Sequence, residues 1–144
     1  MGVPYYGDFD EDATVYIPFN TFSSDDPSAS VTVTDLADAD IKVHKDGSTT
    51  EIATDGATVT INFDSITGNH LVTIDTSVHA DYSTGSDYMV RLEGITVDGA
   101  TLNVWIGLFS IENRSALRPT TAGRKLDVTA TGAAGIDWGN VENQ

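Results

Sequence analysis

Apolar and polar residues alternate with a period of two along most of the first 111 positions, a rhythm that predicts strands rather than helices. Residues 13–19 put Val15, Ile17 and Phe19 on one face and Tyr16 on the other. Pro18 within this run cannot donate to a ladder, so it marks a sheet edge or a bulge. Residues 31–34 form a short alternating run. Residues 41–45, the pair Asp46-Gly47 and residues 49–53 predict a hairpin, because Asp-Gly supplies the positive φ of a tight turn. A second Asp-Gly pair, at 55–56, leads into residues 57–63, with Val59, Ile61 and Phe63 expected inward. Runs at 70–75 and 88–93 follow, then a last hairpin from residues 95–97 through Asp98-Gly99 to 101–111, in which Trp105 is expected to pack internally. Residues 35–38 and 64–66 carry at most a turn or two of helix. About eight strands, spaced about ten residues apart with turn signals between them, predict an all-β fold. The expected architecture is an antiparallel immunoglobulin-like β-sandwich of about 7–9 strands. The missing Cys-Trp-Cys pattern argues only against the antibody branch.

Composition supports this reading and then divides the chain. Thr and Val supply 32 of 144 residues, a β-branched load that suits pleated strands. Of the 22 acids 17 are Asp, which favours turns over helix interiors. Residues 1–110 hold 18 acids and three bases (Lys42, Lys45, Arg91), a net −15, whereas residues 111–144 hold four of each. The division predicts an acidic sandwich over 1–113 and an extended C-terminal arm over 114–144. A surface so poor in bases excludes nucleic acid and an anionic membrane as partners. The chain has no cysteine, which excludes disulfides, a thiolate zinc site and a cysteine nucleophile. The N-terminus has no basic and apolar signal region, and no run approaches 18 apolar residues. Tyr6 stands where a myristoylation motif needs Ser or Thr. A protein made in a cytoplasm with no address of its own is the expectation.

Candidate chemistry is thin. There is no Gly-x-Ser-x-Gly elbow, no Gly-rich phosphate loop after a strand and no His-x-x-x-His pair, and His44, His70 and His79 fall on separate predicted elements. No enzyme activity, cofactor or metal is expected. The run from Asp8 to Asp12 invites a calcium test but fails as an EF-hand, with Ala13 in the place of the glycine and Phe19 in the place of the last glutamate. Asp25, Asp26, Asp35, Asp38 and Asp40 could complete an irregular site, yet they read as solvated acidic loops. Six of the twelve aromatics lie in the first 22 residues, and Tyr5 and Tyr6, which precede the first expected strand, are candidates for an interface. Four of the seven bases, Arg114, Arg118, Arg124 and Lys125, lie within twelve residues directly after the acidic part. With Leu117 and Pro119 they suit either an arm resting on its own sandwich or one bound to another subunit's sandwich. Ile136 and Trp138 sit among glycines that cannot form a core, so a neighbouring chain, another protein or the sandwich must cover them.

The C-terminal run adds a resemblance. Residues 111–114, then residues 117–128, which begin Leu117-Arg118-Pro119-Thr120-Thr121-Ala122-Gly123-Arg124, then residues 132–143, which include Gly135-Ile136-Asp137-Trp138-Gly139-Asn140, resemble the segment after the N-terminal β-domain in tail-fibre and baseplate proteins of tailed bacteriophages. The likeness is tight over about 30 residues and loose over the sandwich. It implies a virion structural protein, the N-terminal anchoring part of a tail fibre or baseplate component, assembled with other tail or baseplate proteins and as a homotrimer. It implies location in the virion after synthesis in the host cytoplasm. The chain departs from that pattern after Gln144, with no shaft repeats and no receptor-binding tip, as for a fragment of a longer fibre or a short docking protein. A capsid decoration or head-fibre base is a second expectation, and a glycan-binding β-sandwich module is a third from another class.

Overall fold

A computed structural model describes residues 2–52 and 56–113, together with the backbone of 127–128 and 134–135. Eight strands make up the main body: β1 (Tyr5–Phe9), β2 (Thr14–Asn20), β3 (Ile41–Lys45), β4 (Glu51–Ile52), β5 (Ala57–Thr60), β6 (Asn69–Asp75), β7 (Ser86–Val97) and β8 (Ala100–Ile111). They form a five-stranded sheet in the order β1-β8-β7-β3-β4 and a three-stranded sheet in the order β2-β6-β5. These are the two sheets of a β-sandwich, with β1 laid against β8. Two further strands, β9 (Asp127–Val128) and β10 (Ala134–Gly135), pair antiparallel.

The core follows from the alternation. Val15 and Ile17 of β2, Val72 and Ile74 of β6, and Ile41 and Val43 of β3 are fully buried against Tyr88, Val90 and Leu92 of β7 and Phe109 and Ile111 of β8. β2, β6 and the Ser86–Leu92 part of β7 bury alternate residues, as a sheet with one wet face must. Phe19 is half-buried at the margin and Tyr16 faces out, as the pattern predicts. The turns at Asp46-Gly47 and Asp98-Gly99 hold both residues at positive φ, the backbone that the Asp-Gly signal stands for.

Five expectations are corrected. Tyr5–Phe9 forms a strand of its own and pairs parallel with β8, an exception to the otherwise antiparallel sheets. Residues 31–34 form no strand. Val33 is buried from a loop, and the backbone there is satisfied by Val31 N–H to the Thr21 carbonyl and by the Thr21 hydroxyl to the Val31 carbonyl. The runs at 88–93 and 95–97 are one strand, β7, which carries an irregularity between Leu92 and Ile95, where the Gly94 N–H donates to Asn103 Oδ1. Phe63 is 49 % exposed rather than inward. The chain leaves β5 at Thr60 and turns at Asn62, whose N–H donates to His70 Nδ1 and whose side chain accepts from Gly68 N–H. Trp105 is 40 % exposed rather than packed internally, because it stands opposite Arg91 on the outer face of the five-stranded sheet.

One side chain joins loop to core. The Tyr88 ring is fully buried and stacks on Phe109 at 4.9 Å. Its hydroxyl reaches the carbonyls of Asp81 and Ser83 at 3.1 Å and accepts the Ser83 N–H at 2.7 Å. A tyrosine near the start of a strand, bonded to backbone a few residues upstream, forms the arrangement called a tyrosine corner.

Candidate assembly interface

The two N-terminal tyrosines have different surroundings. Tyr5 is 48 % exposed, shares a 2.6 Å hydrogen bond with the Ser110 hydroxyl, and lines a shallow cleft with Met89 and Leu108. Tyr6 is half-buried over Gly107, where a Cβ would stand 2.8 Å from the Tyr6 ring. Its hydroxyl donates to the Pro18 carbonyl at 3.0 Å, and burial raises its pKa. Tyr6 therefore clamps β1 to β2, and Tyr5 is the one left at the surface. Arg114, Leu117, Arg118, Pro119, Arg124, Lys125, Ile136 and Trp138 lie outside the described residues.

The sheet edges are unequal. β1 pairs with β8 only from Leu108 to Ile111, with Leu108 N–H also donating to the Pro4 carbonyl. Along residues 101–106 β8 has β7 on one side, and among the described residues no strand on the other. The facing edge of β2 is blunted. Pro18 has no N–H to present, and Tyr6 takes up its carbonyl. Between these edges runs a groove of about 250 Å³, lined by Pro18, Phe19, Leu102, Val104, Trp105 and Ile106. A second groove of about 300 Å³ continues from Leu102 to Phe22, Val97 and Asp98. Residues 101–106 contain no charge and no proline, the two devices that keep a strand edge from pairing. No residue type marks such an edge in a sequence; it exists because β1 stops short.

Electrostatics give the sandwich one sign toward a partner. Each of its three bases is engaged within it: Lys42 with Glu51 at 3.4 Å, Arg91 with Glu93 at 2.7 Å, and Lys45 with the Asp81 carbonyl and Ser83 hydroxyl. Arg91 also lies 5.5 Å from the centroid of the Trp105 ring, and His44 meets that ring edge-on at 5.4 Å. Several acids hold loops. Asp98 accepts from Ser23 and Ser24, Asp35 from Thr96 N–H, Asp38 from Val59 N–H and Asp46 from Asp87 N–H. Hydrogen bonds from Ser28, Thr96, Ser77 and Ser24 hold the carboxyls of Asp26, Asp35, Asp75 and Asp98 below the ordinary range. Among the described residues no three metal-ligating side chains come together.

Among the described residues a hydroxyl–imidazole pair, Thr21 and His70, is buried. His70 is 2 % exposed, and its Nδ1 accepts the Asn62 N–H, so Nε2 carries the proton toward Thr21 Oγ1 at 2.8 Å. The Thr21 hydroxyl in turn donates to the Val31 carbonyl. Burial lowers the His70 pKa, so the unfolded chain takes up its proton first. Stability is then complete above about pH 6.5 and declines as pH falls below that toward the folded value. The melting temperature is expected to fall from pH 7 to pH 5, and the fall to be smaller in His70→Gln. Equal slopes in the two proteins would place the pH dependence elsewhere.

In comparisons with known proteins, no family model, curated protein or solved structure matches the chain.

Proposed function

We propose that the chain is a structural component of a tailed-phage virion, the N-terminal anchoring part of a tail fibre or baseplate component, and that it works by protein–protein assembly. The observation that carries this reading is the uncharged, apolar β8 edge on a sandwich whose own bases are all engaged, next in the chain to a segment holding four bases. An edge of that kind is a template for pairing with another chain. The resemblance of the 117–124 and 135–140 runs to phage tail proteins supplies the setting, with homotrimeric assembly and other tail or baseplate proteins as partners.

The glycan-binding alternative gains from the surface position of Trp105. It loses more, because a sugar stacks on an aromatic face and the Arg91 guanidinium lies over that ring. Mass spectrometry of gradient-purified virions, from a phage that carries this reading frame, tests the proposal. Peptides of the chain are expected at a stoichiometry matching tail or baseplate proteins. Their absence from infectious particles would overturn it.

A further inference from the structure

The geometry points to one occupant for the open β8 edge: we infer that residues 101–106 accept, as an added strand, the 114–126 segment of a second copy of this chain. This rests on the assembly reading above and specifies its surface. No strand pairs with residues 101–106 on this side among the described residues, and Gly2 and Pro4 line the groove beside its Val104–Ile106 end, so the Thr101–Asn103 end is the more open one. The edge runs beside the apolar groove, where alternate side chains of an added strand find pockets. Charge selects the segment. Two sandwiches of net −15 repel one another, whereas residues 114–126 carry Arg114, Arg118, Arg124 and Lys125 with no acid. Asp98 stands at the far end of the adjoining groove, at the margin where such bases would arrive.

The exit of the chain favours a second copy over the same one. Glu112 N–H donates to the Phe9 carbonyl and Asn113 N–H to Asp8 Oδ1, so the chain leaves the sandwich tied to the far end of β1. β1 occupies β8 from Leu108 to Ile111 on the edge in question. The chain's own segment would have to double back around β1 to reach residues 101–106. The 31 residues from 114 to 144 reach at most about 100 Å if extended, ample for an adjacent sandwich. An edge addition also tolerates Pro119 where its missing N–H faces solvent.

The absence of cysteine makes the test clean. Full-length Leu102→Cys is mixed with full-length Leu117→Cys, Arg118→Cys or Thr120→Cys under mild oxidation, and each double variant is oxidised separately. A disulfide between different copies is expected for at least one pairing, since bonding needs Cα atoms about 4.4–6.8 Å apart. Leu102 is exposed, so these changes leave the core intact. As a second readout, Leu102→Lys is expected to weaken self-association at least about tenfold, and Leu102→Glu to leave it within about threefold. Cross-links confined to single chains, or none in a preparation that remains oligomeric, would overturn the strand addition while leaving assembly intact. An intact chain that stays monomeric would overturn both.

Discussion

Replacing Tyr88 with alanine is expected to cost about 3–5 kcal/mol, and replacing it with phenylalanine about 1–3 kcal/mol. The alanine figure is a large part of the roughly 5–15 kcal/mol that a domain of this kind has in total. The ring is fully buried, stacks on Phe109 and touches Tyr82 at 5.4 Å between centroids, so its removal opens a cavity at the centre of the five-stranded sheet. Phenylalanine keeps the ring and isolates the hydroxyl. That hydroxyl ties the loop at Asp81 and Ser83 to β7 and satisfies the Ser83 N–H, which would lose its partner. Urea unfolding measures both changes. A shift of the midpoint with an unchanged slope is expected. If Tyr88→Phe costs under about 0.5 kcal/mol, the loop is held by something other than this corner.

The second large effect concerns association rather than stability. Arg118→Glu together with Arg124→Glu turns residues 111–144 from four acids and four bases into six acids and two bases, a change from net zero to −4. An arm of that sign meets the −15 of another sandwich with repulsion. Self-association is expected to weaken by about 10–100-fold, or about 1.4–2.8 kcal/mol. If both residues belong to the arm, as proposed, the midpoint of urea unfolding of the sandwich stays the same. Sedimentation equilibrium at low salt reads the difference, which should shrink as added salt screens both proteins. An unchanged association constant would remove electrostatics from the assembly.

The parts of the fold legible in the sequence were those fixed locally. Val15 and Ile17 declare β2 by alternation, and Asp46-Gly47 and Asp98-Gly99 declare their turns because the φ values they adopt are expensive for other residues. What the sequence concealed was set by distant partners. Tyr5–Phe9 becomes a strand only because β8 lies beside it, about a hundred residues away. Residues 31–34 alternate like a strand, but the pairing beside them is an isolated bridge, Phe22 to Ser30, with Val31 bonded to Thr21, and Val33 reaches the core from a loop. Gly94 reads as a break between two strands, yet β7 passes through it with an irregularity. Trp105 sits in an apolar run that suggests burial, and the register with Arg91 puts it outside. The candidate site divides in the same way. Charge partition was visible as a count along the chain, whereas the open edge depends on where β1 stops.

On the reading proposed above, acidic sandwich and basic segment meet in different copies. Sedimentation equilibrium of the intact chain, at low salt and concentrations up to about 100 µM, tests this most directly. The predicted result is a homotrimer, three times the 15.3 kDa of one chain, which dissociates as salt is raised. A single species at 15.3 kDa across the whole range would contradict it.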